Sequence, residues 1–84
     1  MIKMTKSIST LHDARDFVRN ISKPFELYTA DHFWQINAHG FLWKSVGCED
    51  GRLIYALHTA SVFDTALWCF LHRRAVNFVL RSHQ

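Results

Sequence analysis

The chain has few of the residues that small covalent scaffolds and cofactor loops are built from. Its 84 residues include two cysteines, one proline and three glycines. Two cysteines do not make a disulfide framework, and three scattered glycines form no phosphate-binding loop. No apolar run approaches the roughly 18 residues of a membrane span, and residues 1–10 lack the apolar core of a signal peptide. We expect one small cytoplasmic domain over residues 1–84, with no cofactor.

Acidic residues are scarce in the second half of the chain. After residue 50 the only one is Asp64. The same segment contains four arginines: Arg52, Arg73, Arg74 and Arg81. The net charge is +3 with the histidines neutral. This mild basic bias favours an acidic partner, which would be nucleic acid or an acidic protein surface.

The first third of the chain predicts a short helix. Residues 1–8 are expected to be loosely ordered. Ser9 or Thr10 can then cap a helix, with Asp13 placed to complete a capping box. The apolar residues that follow recur at helical spacing: Leu11, Ala14, Phe17, Val18 and Ile21. Pro24 disfavours a helical conformation in the residue before it, so the helix ends by residue 23.

The middle of the chain changes to short aromatic and β-branched runs separated by turn residues. These runs are residues 25–29, 32–36, 41–46 and 52–58. Their hairpin-length connections, one of which contains Asp50-Gly51, predict an antiparallel meander of three or four strands. Alternation in the third run puts Trp43 and Leu42 on opposite faces, so neither face of the sheet is cleanly polar.

The last quarter of the chain predicts one long helix from Ser61 to Arg81. Ser61 can cap it, and Asp64 in the first turn complements the helix dipole. Apolar residues surround most of its circumference, which a basic belt of His72, Arg73 and Arg74 interrupts. The predicted fold is α+β: a short N-terminal helix, a meander of three to four strands and a long C-terminal helix packed on the sheet. The apolar surplus indicates an interface, either in a homodimer or with another protein.

Neither metal binding nor catalysis is favoured by the arrangement of the six histidines. Cys69 and His72 lie at i, i+3, but structural zinc sites generally present two such pairs, and Cys69 sits in an apolar stretch. His39 and His58 could act as general acid and base beside Arg52 or Lys44, but no motif fixes them together. We therefore predict a protein that is not an enzyme and has no metal site.

Binding is the function that the composition favours. Trp68 beside His72, Arg73 and Arg74 has the composition of a protein-interface hot spot, and Trp43 and Tyr55 are the candidates on the sheet. The prediction is a small adaptor or inhibitor that acts on a larger protein or complex. Small proteins of this shape, including those of phages and other mobile elements, commonly work by occluding such a site, an analogy from size and architecture only.

The alternative is a nucleic-acid-binding regulator that uses the basic C-terminal helix. Its aromatic platforms for stacking on bases would be Trp34, Trp43 and Tyr28.

Overall fold

The computed structural model describes residues 7–83 and has the predicted α+β architecture. Helix α1 precedes a four-stranded sheet, and two helices follow it. The elements are α1 (Leu11–Arg19), β1 (Phe25–Thr29), β2 (His32–Ile36), β3 (Leu42–Glu49), β4 (Arg52–Thr59), α2 (Val62–Leu71) and α3 (Arg73–Ser82).

Helix α1 begins with the predicted capping box. The hydroxyl oxygen of Thr10 accepts a hydrogen bond from the Asp13 N–H at 3.1 Å, and the Asp13 carboxylate accepts one from the Thr10 N–H at 3.0 Å. The two bonds satisfy backbone donors that have no partner inside the helix. Ala14 and Val18 then face the core.

The segment before α1 is attached to α3. Ile8 is 2 % exposed. Its N–H donates to Asn77 Oδ1 at 2.7 Å, and its carbonyl accepts from Asn77 Nδ2 at 2.9 Å. Loose order was expected for residues 1–8; residues 1–6 lie outside the described part of the chain, whereas Ile8 is a buried, doubly bonded part of the core.

The strands form the predicted antiparallel meander, in the order β1-β2-β3-β4. Two of the three hairpins turn through two residues of positive φ, Ala30-Asp31 and Asp50-Gly51, as type I′ turns require. The connection between β2 and β3 is longer and covers residues 37–41. Two bulges interrupt the pairing of β3 with β4, leaving Val46 and His58 as the extra residues. A bulge inserts one extra residue and therefore changes which face of the sheet the following side chains point to.

The prediction of one long C-terminal helix is wrong, because His72 divides it into α2 and α3. The backbone of His72 has φ −111° and ψ 29°, outside the helical region. Its side-chain Nδ1 donates to the Trp68 carbonyl at 2.9 Å, and Arg73 donates from its guanidinium to the Phe70 carbonyl at 3.0 Å. These side chains bind carbonyls in the last turn of α2 and so stabilise the end of a helix there. The apolar periodicity of the sequence continues through this point and by itself predicts no helix end.

The helices pack on one face of the sheet. Trp34 of β2 contacts Trp68 of α2, with ring centroids 4.7 Å apart. Directly paired residues of antiparallel strands share a face, so Leu27 and Lys44, which pair with Trp34, also point towards the helices. The core lies between the two layers and contains Ile8, Ala14, Val18, Phe25, Leu27, Trp34, Ile36, Leu42, Ala66, Cys69, Val76 and Leu80.

Candidate functional site

The face of the sheet opposite the helices is aromatic. Pairing places Glu26, Gln35, Trp43 and Leu57 in one row across the four strands and Tyr28 beside Phe33 in the next. Tyr55 lies two residues from Leu57 and shares its face. We call this set the uncovered sheet face: Glu26, Tyr28, Phe33, Gln35, Trp43, Tyr55 and Leu57. No helix within residues 7–83 packs on it.

Large apolar side chains of this face are open to solvent. Tyr28 is 54 % exposed, Phe33 43 % and Leu57 47 %. The rings of Tyr28 and Phe33 meet edge to face at 4.8 Å, and Trp43 and Tyr55 are half-buried. Because cross-strand contacts hold the rings in place, they form a preordered surface and lose little side-chain entropy when a partner binds.

Tyr55 and Glu26 are coupled electrostatically on this face. Partial burial raises the pKa of the Tyr55 hydroxyl above its ordinary value, and the negative charge of Glu26 raises that pKa further. The Glu26 carboxylate also accepts a hydrogen bond from Gln35 Nε2 at 3.4 Å. A tyrosine hydroxyl is neutral at physiological pH, and the raised pKa keeps Tyr55 a hydrogen-bond donor to a higher pH than usual.

Trp68 and His72 belong to a cluster of rings on the opposite, helix-bearing side. Their rings stack with centroids 4.2 Å apart and planes inclined by 20°. Trp68 also contacts Trp34, and His58 meets Trp34 edge to face at 5.2 Å. His58 lies two residues after Ala56, whose partner Lys44 pairs with Trp34, so alternation along β4 points this imidazole towards Trp34. Lys44 completes the cluster, with its ammonium 5.6 Å from the centre of the Trp34 ring.

The two arginines of the predicted basic belt differ in their surroundings. The Arg73 guanidinium lies over the ring of Phe70, 4.7 Å from its centre, and donates to the carbonyl of the same residue. Arg73 therefore contributes to the junction between α2 and α3 through a cation–π contact and a cap. Arg74 is exposed at the start of α3.

A groove separates β4 from α2. Its volume is about 390 Å³, and it is lined by His58, Thr59, Asp64, Leu67, Trp68 and Leu71. Leu67 and Leu71 of its helical wall continue a stripe that begins with Phe63 one turn earlier, and these three residues at i, i+4 and i+8 have 56 % (Phe63), 38 % (Leu67) and 65 % (Leu71) of their surface exposed. The groove therefore joins the exposed apolar stripe of α2 to the edge of the sheet.

The six predicted binding residues thus fall into two places. Trp68, His72 and Arg73 meet at the junction of α2 and α3, and Arg74 follows directly. Trp43 and Tyr55 lie on the other side of the sheet. The sequence did not single out Phe33 or Leu57, and it assigned Tyr28 only to nucleic-acid stacking. The pairing register places all three on the same face of the sheet as Trp43 and Tyr55. A correct alignment of the four strands would therefore have identified them from the sequence.

No family model, curated protein or solved structure compared with this chain matches it.

The reactive side chains of the described residues are dispersed. Among residues 7–83, no three His, Cys, Asp or Glu side chains are grouped to hold a metal ion. Cys69 is fully buried, and burial raises the pKa of its thiol to about 12, so it is a neutral core residue rather than a nucleophile. His39 contacts Phe41, with ring centroids 6.0 Å apart, whereas His58 contacts Trp34. None of the helices described is long and apolar enough to cross a bilayer.

Proposed function

We propose that this protein is a non-catalytic binding module, an adaptor or inhibitor that docks on a larger protein through its uncovered sheet face. The observation that carries the proposal is the grouping of Tyr28, Phe33, Trp43 and Tyr55 with Leu57 on a face that no described helix covers. Monomeric domains rarely expose a contiguous apolar surface of this kind unless it binds something.

The composition of the face favours a protein partner. Trp and Tyr are enriched among the residues that carry most of the binding energy in protein interfaces, because each buries a large rigid area and also offers a polar atom. Trp43 lies in the row with Glu26, Gln35 and Leu57, and Tyr55 lies on β4 two residues from Leu57. Both are already half-buried by their neighbours. A partner that covers them completes their desolvation, which is the environment in which such anchors act.

The charge on this side of the sheet indicates the chemistry of the partner surface. Glu26 lies within the face, and the two hairpin turns at the same end of the sheet contribute Asp31 and Asp50. We infer a target surface with apolar residues at its centre and basic residues at its rim, since charge complementarity steers encounter and fixes orientation.

The same geometry argues against the nucleic-acid alternative. Glu26 lies on the same face as the exposed rings, where it would repel phosphates. The arginines of α3 lie on the helix side of the molecule, and Trp34 there is only 6 % exposed. A single-strand binder needs several exposed stacking rings beside its cations. Among the described residues of the helix side only Trp68 is a partly exposed tryptophan near Arg73, whereas the exposed rings of Tyr28 and Phe33 lie on the other side of the sheet.

The test is affinity capture from the native host's lysate with variants of both sides. Trp43→Ala and Tyr55→Ala remove the proposed anchors, and Phe78→Ala is the control because Phe78 is 65 % exposed on α3. We expect wild type, Phe78→Ala and the double variant Arg73→Ala/Arg74→Ala to capture one protein in a fixed ratio. Nuclease treatment and moderate salt should not remove it. Each anchor variant should weaken capture about 10- to 100-fold, since hot-spot truncations cost about 2 kcal/mol or more. Loss of the captured material with nuclease or with the arginine variant would overturn the proposal.

A further inference from the structure

The two edges of the sheet differ in how they are protected. Strand β1 has five residues, follows Pro24 and carries Glu26, and the ring of Phe25 meets His83 just beyond α3 at 6.4 Å. Strand β4 has eight residues and contains no proline. After Arg52, its only ionisable side chain besides that of Tyr55 is that of His58. Proline, charge and covering segments are the usual devices that prevent edge pairing. The β1 edge has all three, whereas the protection of β4 is confined to Arg52 at its start and the bulge at His58 near its end, which leaves residues 53–57 open.

The open edge is continuous with exposed apolar side chains. Leu53, Ile54 and Leu57 of β4 are 41 %, 40 % and 47 % exposed. The end of the same strand, His58 and Thr59, forms one wall of the groove, and Leu67 and Leu71 of α2 line the other. We call these six residues the edge surface: Leu53, Ile54, Leu57, Phe63, Leu67 and Leu71. If each presents roughly 200 Å² when fully exposed, their remaining area is about 600 Å². One side of a standard stable interface buries about 800 Å², which the backbone edge of β4 and the groove walls can complete.

We propose that the edge surface binds a second copy of this chain, through antiparallel pairing of β4 with its own equivalent about a two-fold axis. An edge strand is complementary to itself in this orientation, because each copy offers the same row of donors and acceptors. Since the β1 edge is protected, the pairing cannot continue from copy to copy. It closes as a dimer with an eight-stranded sheet.

The register follows from the faces of β4. Residues that lie directly opposite each other in an antiparallel pair must be on the same face of the sheet. At the two-fold axis, one residue of β4 therefore pairs with the same residue of the second copy. An axis at Tyr55 places Leu53 opposite Leu57 of the second copy and Ile54 opposite Ala56. No two like charges then oppose each other between residues 53 and 57, and the bulge at His58 lies outside the paired segment. The two α2 stripes meet over the junction.

The dimer also enlarges the uncovered sheet face. Tyr55 and Leu57 belong to that face and also lie nearest the two-fold axis, so the faces of the two copies adjoin there. The dimer therefore presents one continuous aromatic surface in which each half is the binding site proposed above. Dimerisation itself does not depend on that function, because it uses the backbone edge of β4 and the exposed apolar stripe of α2.

Sedimentation with matched variants tests the dimer. Over roughly 1 to 200 µM, the wild-type chain should approach twice its 9.9 kDa mass. Leu71→Lys and Ile54→Lys should remain monomeric. Phe78→Lys is the control, because Phe78 and Leu71 are both 65 % exposed but Phe78 lies outside the edge surface; it should still dimerise. A wild-type chain that stays monomeric, or a dimer unchanged by both edge variants, overturns the proposal.

Cross-linking tests the register independently of any loss of folding. Opposed residues in an antiparallel pair have Cβ atoms about 4.5 to 5.5 Å apart, so mild oxidation should link Tyr55→Cys chains in a Cys48→Ser background. Tyr28→Cys in the same background should remain unlinked, and equal linking of both would overturn the β4 pairing. Trp43→Ala should lose target capture while keeping the dimer, so this proposal and the proposed function can fail separately.

Discussion

The indole of Trp68 stacks on the imidazole of His72, and the same imidazole donates from Nδ1 to the Trp68 carbonyl at 2.9 Å. One side chain thus ends α2 and supports the ring cluster that joins α2 to β2. The break between the helices is therefore an ordered feature of the packing. It lets α3 turn back over the core, where Val76 and Leu80 are buried.

Replacement of His72 by alanine should destabilise the protein by about 1–2 kcal/mol. The variant loses one hydrogen bond to a helix-end carbonyl and one stacked ring contact, each worth about 0.5–1.5 kcal/mol. Urea denaturation followed by circular dichroism measures the change. His39→Ala, in the exposed loop before β3, should shift stability by less than about 0.5 kcal/mol. Equal effects of the two substitutions would show that the stack contributes no stability.

A matched pair of glycines tests the packing of α2 on the loop before β3. Gly40 and Gly51 both have positive φ, +79° and +76°, but only Gly40 is enclosed. A Cβ at Gly40 would lie 2.9 Å from Val62 Cγ2 and 3.2 Å from Val18 Cγ1, whereas one at Gly51 would meet no atom within 4 Å.

Gly51→Ala should therefore cost only the backbone strain, about 1 kcal/mol, and Gly40→Ala should cost about 1–3 kcal/mol more. The difference between the two variants in thermal or urea denaturation isolates the steric contribution. If Gly40→Ala is no worse than Gly51→Ala, Val62 and Val18 can move away without loss.

Asn77 should be the polar residue of α3 on which folding depends most. Its amide satisfies both the N–H and the carbonyl of Ile8, 69 positions away in sequence. Asn77→Leu keeps the approximate volume and removes both bonds, leaving two buried backbone groups without partners at a cost of about 2–4 kcal/mol. Asn20→Ala is the control, since Asn20 bonds only to its own helix at an exposed position. A neutral Asn77→Leu would contradict the anchoring of residue 8.

The two cysteines should respond differently to thiol reagents and to alkali. Cys48 is exposed and Cys69 buried, so one thiol per chain should react at neutral pH and the second only on unfolding. Burial raises the pKa of Cys69 to about 12, whereas in the unfolded chain it ionises near 9.0. Between these values the folded state keeps a proton that the unfolded state has released, so stability falls as pH rises.

The contribution of Cys69 is complete below about pH 9 and decreases by about 1.4 kcal/mol per pH unit above it. The stability of Cys69→Ala should therefore decline less steeply than that of wild type between pH 9 and 11, measured by urea denaturation at each pH. Cys48→Ala should parallel wild type. Identical slopes for all three proteins would show that Cys69 gains access to water in the folded state.

Local signals were sufficient to predict α1, the four strands and the start of α2. The capping residues Thr10 and Ser61, Pro24 and the Asp50-Gly51 turn each act within a few positions of themselves. The break at His72 was not predictable in this way, because the apolar period of the sequence continues through it. It depends on the side chains of His72 and Arg73 binding the carbonyls of α2.

The placement of the site required long-range contacts. Alternation in β3 separates Trp43 from Leu42 but does not say which of them meets the helices. The packing of Trp34 against Trp68 decides it, since it fixes the inner face of β2 and, through the register, that of β3 and β4. The same packing buries Trp34, which the sequence had offered as a stacking platform, and leaves Trp43 and Tyr55 on the uncovered sheet face.

The measurement that tests the central claim most directly is hydroxyl-radical footprinting of the free protein and of its captured complex, because aromatic side chains report their own exposure. Tyr28, Phe33, Trp43 and Tyr55 should be oxidised in the free protein and protected in the complex, while Phe78 on α3 reacts equally in both. Protection confined to α3, with Trp43 and Tyr55 as reactive in the complex as in the free protein, would contradict binding through the uncovered sheet face.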